Sequence, residues 1–270
     1  MKKSIIKLID VLLVIIISFT ACNNEEYIVE YPEKYTAEYC LSNYVKADPN
    51  LIHLRSADNS LGTINKYGLY FEYYAIKDIP LDEYLCVQSY GLLSGGSDAE
   101  IFRYEDLEIS EPEILSYKLK SAKLYWNFDN NVSENFPTLG AVNVYQDVVS
   151  IDAEYLQSYI RKAIDEENYV VDNSKFTPVL KRITVNNGRL STDIGLTIMV
   201  HFEKYENIVW CCSIDKFNGE YYLCFYNYPN FEELKELDDF DAHTVGYESL
   251  SIPLYDELSN FIRNNCDQIQ

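Results

Sequence analysis

The sequence predicts an α+β fold in which antiparallel sheets dominate and two helices pack against the C-terminal sheet. Segments rich in β-branched and aromatic residues recur along the chain, and turn-forming residues separate them. Two further stretches carry the periodicity of amphipathic helices. Apolar residues make up 47% of the 270 residues and charged residues 24%, which is typical of a folded globular protein.

The first half of the chain is predicted to be mostly β-structure. Four segments are predicted as strands, over residues 68–76, 84–90, 99–104 and 114–128. Turn-forming residues separate them, at Asp58-Asn59, Asp78-Ile79-Pro80 and residues 94–97. No helical periodicity of convincing length occurs before residue 150.

Two helices are predicted in the second half. The first spans about 152–168, with Asp152 as its N-cap and apolar residues at i, i+3 and i+4 spacing. The second spans about 253–266 and begins at Pro253, which the first turn of a helix accepts. Between the helices, a meander of strands is predicted over residues 189–204, 208–217 and 220–227.

The same pattern divides the folded part of the chain into two regions. A β-rich region covers residues 33–130, and an α+β region covers residues 138–270. The segment between them, residues 129–137, is polar and rich in turn-forming residues. Two domains and one continuous fold are both consistent with this organisation.

The N-terminus has the features of an export signal. The first residues carry positive charge from Lys2, Lys3 and Lys7, and an apolar run follows over residues 11–19. As a helix this run would rise only ~14 Å, about half of a bilayer core, so it is too short for a stable span. A positive start, a short apolar run and small residues predict a secretory signal peptide over residues 1–21.

The end of this segment, Phe19-Thr20-Ala21-Cys22, resembles the lipobox of bacterial lipoproteins. The resemblance covers residues 1–26 and implies cleavage before Cys22, with lipidation of Cys22 itself. It implies attachment to the lipid bilayer through several acyl chains, with residues 22–32 as a tether. The expected location is the cell envelope, at the outer membrane or cell surface if the source is Gram-negative.

The net charge and the sequence motifs limit the classes of function that we expect for this chain. The chain has 43 acidic and 22 basic residues, and this excess of acid argues against a nucleic-acid partner. The acidic stretch with Asp238, Asp239 and Asp241 offers carboxylates that suit a hard cation such as Ca²⁺. The EF-hand spacing is missing, so a solvated acidic loop is the favoured interpretation. We therefore expect neither a metal nor a cofactor, and no catalytic residue is identified.

One cysteine pair has a geometric case for a disulfide. A three-residue hairpin loop ending at Gly219 would place Cys212 opposite Cys224, at a Cα separation of ~5.5 Å that a disulfide can bridge. A different loop length would place Cys211 or Ser213 there instead. The alternative interpretation is that these cysteines are buried free thiols, because cysteine packs as a small apolar residue.

Tyrosine is the most distinctive residue type, with 25 in the chain. Its flat ring and hydroxyl suit sugar stacking and protein contact. Because neighbouring strand residues point to opposite faces, one tyrosine of each consecutive pair should face outward. The candidate ligand-facing residues are Tyr70, Tyr73, Tyr74, Tyr222 and Tyr226. The alternative is that tyrosine is simply a good strand former.

These observations favour a non-enzymatic envelope lipoprotein whose β-rich body binds an envelope protein or a glycan. Two alternatives stay open. One is an envelope hydrolase that uses carboxylates, and it predicts a concave site with at least two acidic residues. The other is a structural accessory of a larger envelope complex, which would expose a large apolar patch.

Overall fold

The computed structural model describes residues 34–53, 56–66, 68–91, 99–107, 109, 111–127, 146–171, 174–185, 190–227 and 247–266. The chain divides into two units, Met1–Pro32 and Glu33–Gln270. All the described residues belong to the second unit, which is compact. Among them, no helix combines the length and the apolarity needed to span a bilayer.

The smaller sheet is antiparallel and has five strands. Its spatial order is β1 (Tyr44–Lys46), β6 (Glu100–Tyr104), β5 (Tyr84–Gly91), β4 (Leu69–Ile76) and β3 (Ser56–Lys66). Helix α1 (Ala37–Asn43) begins at Thr36, whose side chain accepts a hydrogen bond from the backbone N–H of Tyr39. It packs so close to β3 that a Cβ on Gly62 would lie 3.3 Å from the Cβ of Ala37.

The larger sheet is also antiparallel and has nine strands. Its main path runs β14 (Glu248–Pro253), β13 (Glu220–Asn227), β12 (Ile208–Phe217), β11 (Leu190–Phe202), β7 (Leu119–Asn127) and β8 (Gln146–Ile151). Three strands pair beside this path, namely β10 (Leu180–Val185), β2 (Leu51–His53) and β9 (Thr177–Pro178). The predicted antiparallel, β-rich fold class is therefore confirmed.

Two helices cover the core face of the larger sheet. Helix α3 (Ala153–Asp165) is capped by Asp152, whose side chain accepts a hydrogen bond from the N–H of Tyr155. Helix α4 (Asp256–Asn265) follows β14 directly. The apolar stripes of both helices join the inward side chains of the sheet in one cluster that includes Leu156, Ile160, Leu258, Ile262, Leu124, Ile198 and Ile214. This burial of apolar surface stabilises the helices on the sheet.

One large apolar cluster connects the two sheets. Ile76, Cys86 and Ile101 of the smaller sheet belong to the same buried cluster as Ile198 of the larger one. Strands β2 and β7 come from the predicted β-rich region, residues 33–130, yet both lie in the larger sheet. The chain thus forms one continuous fold over its described residues. The predicted boundary segment, residues 129–137, lies outside them.

Several predicted boundaries were wrong in detail. Residues 114–116 are helical and belong to α2 (Glu113–Ser116), so the strand predicted there begins only at Leu119. Pro253 ends β14, and the final helix begins at Asp256. The predicted turn Asp58-Asn59 lies within β3, where pairing with β4 is interrupted by bulges. Helix α1 was not predicted, because it has only seven residues.

The predicted pairing of Cys212 with Cys224 is also wrong. The β12–β13 hairpin closes through two residues, Asn218 and Gly219, both with positive φ, which is the geometry of a primed turn. Ser213 therefore lies opposite Cys224, while Cys212 pairs with Ile198 and faces the core. The two cysteines point to opposite faces of the sheet, and both are free thiols.

Candidate functional site

The five tyrosines predicted to face a ligand lie in different parts of the structure. Tyr73 is fully buried, so its prediction as a ligand-facing residue is wrong. It pairs with Gly62 on the face of the smaller sheet that α1 covers. Strand alternation places Tyr70 and Tyr74 on the opposite face, where both are half-buried.

That opposite face forms an aromatic and polar patch, here named the tyrosine surface. It consists of Tyr70, Glu72 and Tyr74 on β4 with Gln88 and Tyr90 on β5. Tyr70 lies directly opposite Tyr90, and Glu72 lies opposite Gln88. All five side chains are half-buried, so each presents part of its surface to solvent.

Hydrogen bonds hold Glu72 at the centre of the tyrosine surface. The Tyr90 hydroxyl donates to the Glu72 carboxylate, and Tyr74 and Ser60 hydrogen-bond to the same group. These bonds, with that from Tyr90 as the largest cause, lower the pKa of Glu72 below its usual value. Glu72 is therefore an ionised acceptor at neutral pH, fixed between tyrosine rings.

A second aromatic group lies in a cleft between the starts of α3 and α4, here named the helix cleft. Its volume is about 350 Å³, and an adjoining hollow extends it past Tyr159. The tyrosines and acidic residues of the cleft and hollow are Asp152, Tyr155, Tyr159, Tyr255, Asp256 and Glu257. Leu258 and Phe261 contribute an apolar wall. Both edge strands of the main sheet path, β8 and β14, lead into it.

The three cleft tyrosines contact one another through defined geometries. Tyr155 and Tyr159 each meet the ring of Tyr255 edge-on, at centroid separations of 5.0 and 5.3 Å. The Tyr159 hydroxyl donates to the carbonyl of Pro253 at 2.6 Å, which fixes its ring. Burial, followed by nearby acidic groups, raises the pKa of Tyr255 to about 12, so its hydroxyl stays protonated. Tyr155 is 48% exposed and offers its ring to solvent.

The two remaining candidate tyrosines lie on the outer face of the larger sheet. Tyr222 packs edge-on against Phe176, at a centroid separation of 4.8 Å. Tyr226 is 46% exposed, and its ring centroid lies 4.7 Å from that of Tyr247. Neither lines the helix cleft or belongs to the tyrosine surface, so the five predicted tyrosines do not form one site.

A pair of carboxylates lies buried where the two sheets meet. Asp48 is 4% exposed and Glu113 is completely buried. The N–H of Asp48 donates to Glu113 Oε2 at 2.9 Å, and Trp210 Nε1 donates to Asp48 Oδ2 at 3.0 Å. Arg103 Nη1 lies 3.7 Å from Glu113 Oε1. Burial raises the pKa of both carboxyls, that of Asp48 to about 7.

Tyrosine hydroxyls connect this pair to the protein surface. Tyr84 hydrogen-bonds to Glu113, and its hydroxyl lies 2.9 Å from that of Tyr117. The Tyr205 hydroxyl donates to that of Tyr117 at 3.3 Å and lies near Glu83, which contributes to raising the pKa of Tyr205. Glu83 in turn forms an ion pair with Lys204 at the surface.

Other predicted site residues lie outside the described part of the chain. These are the predicted lipidation residue Cys22 and the cation candidates Asp238, Asp239 and Asp241. Within the described residues, no group of three or more His, Cys, Asp or Glu side chains is arranged to hold a metal ion.

Sequence reasoning missed the helix cleft. Its clearest signal was the spacing of Tyr155 and Tyr159, which are one helical turn apart and close to the N-cap at Asp152. The contribution of Tyr255 depends on how α4 docks beside α3, and no local pattern encodes that. Searches of known protein families, of curated proteins and of solved structures found nothing that matches this chain.

Proposed function

We propose that this chain is a lipid-anchored, non-enzymatic binding module of the bacterial cell envelope, and that it recognises a glycan. The observation that carries the proposal is the tyrosine surface, where partly exposed rings flank an ionised carboxylate. Tyrosine rings stack on the apolar faces of sugar rings, and carboxylate and amide groups hydrogen-bond to sugar hydroxyls.

The dimensions of the tyrosine surface suit a chain of sugars. Four residue steps separate Tyr70 from Tyr74 along β4, which corresponds to ~14 Å. Tyr90 lies beside Tyr70 on the neighbouring strand and widens the patch. A surface of this length favours an oligosaccharide over a single sugar.

The distribution of carboxyl pKa values supports binding without hydrolysis. Glycoside hydrolysis needs a general acid that stays protonated near neutral pH and contacts the substrate. Glu72 faces solvent, but its pKa is lowered. Asp48 and Glu113, whose pKa values are raised, are closed to solvent. Burial also raises the pKa of Asp215, which lies on β12 of the larger sheet and not on the tyrosine surface. The carboxylate of the tyrosine surface therefore suits recognition, and among the described residues no carboxyl with a raised pKa lies beside it there.

The anchoring part of the proposal rests on the sequence Phe19-Thr20-Ala21-Cys22. We expect Cys22→Ser to abolish incorporation of a labelled fatty acid and to release the protein from the membrane fraction. Cys40→Ser is the matched control, since Cys40 is buried in α1 and should not be acylated. Acylation of the Cys22→Ser protein would refute the anchor.

Glycan binding is tested with the full chain in non-ionic detergent on a panel of immobilised polysaccharides and oligosaccharides. We expect selective binding that Tyr74→Ala weakens by about tenfold, the order of one lost ring contact. Tyr155→Ala is the control, because Tyr155 lies in the helix cleft. Failure of every glycan to bind, or equal binding by Tyr74→Ala, contradicts the proposal. Shortened sugar products after incubation would instead support the hydrolase alternative.

A further inference from the structure

We infer that the helix cleft is a second binding site, and that it takes a lysine or arginine side chain of a protein partner. Two tyrosines and two carboxylates, Tyr155, Tyr255, Asp152 and Glu257, line a concave space of about 350 Å³, and Tyr159 and Asp256 line the adjoining hollow. This volume lies at the lower end of the roughly 300–1,000 Å³ range of ligand sites. The site is separate from the tyrosine surface and does not depend on glycan binding.

The aromatic part of the cleft has the chemistry of a cation site. A cation over the face of a tyrosine ring is attracted by the negative charge density of that face. Tyr159 and Tyr255 are held by the hydroxyl bond to Pro253 and by edge-on ring contacts. Tyr155 stands at the rim with nearly half of its side chain exposed. The rings are therefore positioned before any ligand arrives.

The charge of the cleft is complementary to a cation. Asp152, Asp256 and Glu257 bring three carboxylates, and among the described residues that line the cleft none is basic. The two helix starts offset part of this charge, because each contributes roughly half a positive charge. The local balance stays at roughly two negative charges. An anionic ligand would be repelled, and a cationic ligand would gain a Coulombic attraction that a neutral ligand lacks.

A protein partner is favoured as the source of the cation. Tyr155 extends the aromatic surface from the cleft onto the exposed side of α3, where a partner backbone can rest. The net charge of −21 also attracts a basic surface beyond contact distance, which raises the rate of association. A long basic side chain can then enter the cleft with its alkyl part against Leu258 and Phe261.

The test uses the full chain in non-ionic detergent and a short peptide with one central lysine, titrated by calorimetry. Peptides with arginine or norleucine at that position are compared. We expect saturable binding of the lysine and arginine peptides and no binding of the norleucine peptide. Tyr155→Ala should raise the dissociation constant about tenfold, as expected for a partly desolvated cation–π contact. Tyr226→Ala is the control, since it is equally exposed but lies elsewhere.

Glu154 provides a closely matched control for the cleft carboxylate Glu257. Glu154 and Glu257 are each the second residue of a helix, but only Glu257 lines the cleft. We expect Glu257→Gln to weaken binding several-fold and Glu154→Gln to leave it unchanged. Equal loss in both variants, binding of the norleucine peptide, or no effect of Tyr155→Ala overturns the inference. These results are independent of Tyr74→Ala, so failure of one site is distinguishable from failure of the other.

Discussion

Replacing Asp48 with asparagine should change how the free energy of unfolding depends on pH. Asp48 is buried beside Glu113 and accepts hydrogen bonds from Asn50 and Trp210. Burial and the Glu113 carboxylate raise its pKa more than these bonds lower it. Because the folded-state pKa is raised, the stabilising contribution is present below pH 3.8 and is lost as the pH rises through about 7.

The size of the effect follows from the shift. The pKa of Asp48 moves from 3.8 to about 7, and each unit corresponds to about 1.4 kcal/mol. Ionising Asp48 therefore removes about 4 kcal/mol of stability between pH 4 and pH 8. The variant cannot ionise, but its amide NH₂ replaces one accepting oxygen and costs about 1–3 kcal/mol at every pH. Wild type should be the more stable protein at pH 4, and the variant should equal or exceed it at pH 8.

The assay is urea unfolding of both proteins at intervals from pH 4 to pH 8.5. The difference between their free energies of unfolding cancels the titration of carboxylates distant from Asp48, and what remains comes from Asp48 together with its neighbour Glu113. Trp210→Phe is a useful control, because it removes one hydrogen bond to Asp48 and keeps the titrating group. It should retain the loss of stability with pH. A difference between wild type and Asp48→Asn that is constant, or that grows in favour of wild type as the pH rises, refutes the reasoning.

Three further predictions concern the corrected features of the fold. Tyr73→Ala should lower the free energy of unfolding in urea by about 3–5 kcal/mol, as expected for a buried ring. Tyr70→Ala should lower it by less than about 1 kcal/mol. Similar losses in the two variants would contradict the assignment of these residues to opposite faces of the sheet. Gly219→Ala should cost about 1 kcal/mol, because its φ of 87° disfavours any side chain, and an unchanged midpoint would count against the two-residue turn. Cys212 and Cys224 should be alkylated slowly in the native protein, because burial raises the pKa of their thiols. Both should be alkylated fully in urea without reductant, because both are free. A mass that shows an intact disulfide between them would contradict this prediction.

Elements with strong local patterns could be predicted from the sequence. Strand β13 begins and ends at the predicted residues, because its alternation and its flanking turn are both local signals. The cap at Asp152 and the buried face of α3 followed from helical spacing. Short elements gave no such signal. Helix α2 has four residues, and periodicity cannot distinguish so short a helix from a strand.

Features set by long-range packing could not be predicted. The hairpin register depends on whether the β12–β13 turn has two or three residues, and one residue reverses the face of every side chain. The alternation rule correctly indicated that only one of Tyr73 and Tyr74 faces outward, but it could not say which. That choice depends on where α1 docks. The helix cleft likewise arises from the docking of α3 beside α4, which are far apart in the sequence.

The proposal that a lipid-anchored module captures a glycan is tested most directly with washed membranes. Membranes from bacteria that produce the full chain are incubated with a fluorescent oligosaccharide selected from the panel, washed, and measured for bound label. We expect wild-type membranes to retain the label. Membranes with the Cys22→Ser protein should lose it because the protein has no anchor. Membranes with the Tyr74→Ala protein should lose it because the binding surface is disrupted. Retention by either variant at the wild-type level would contradict the proposal.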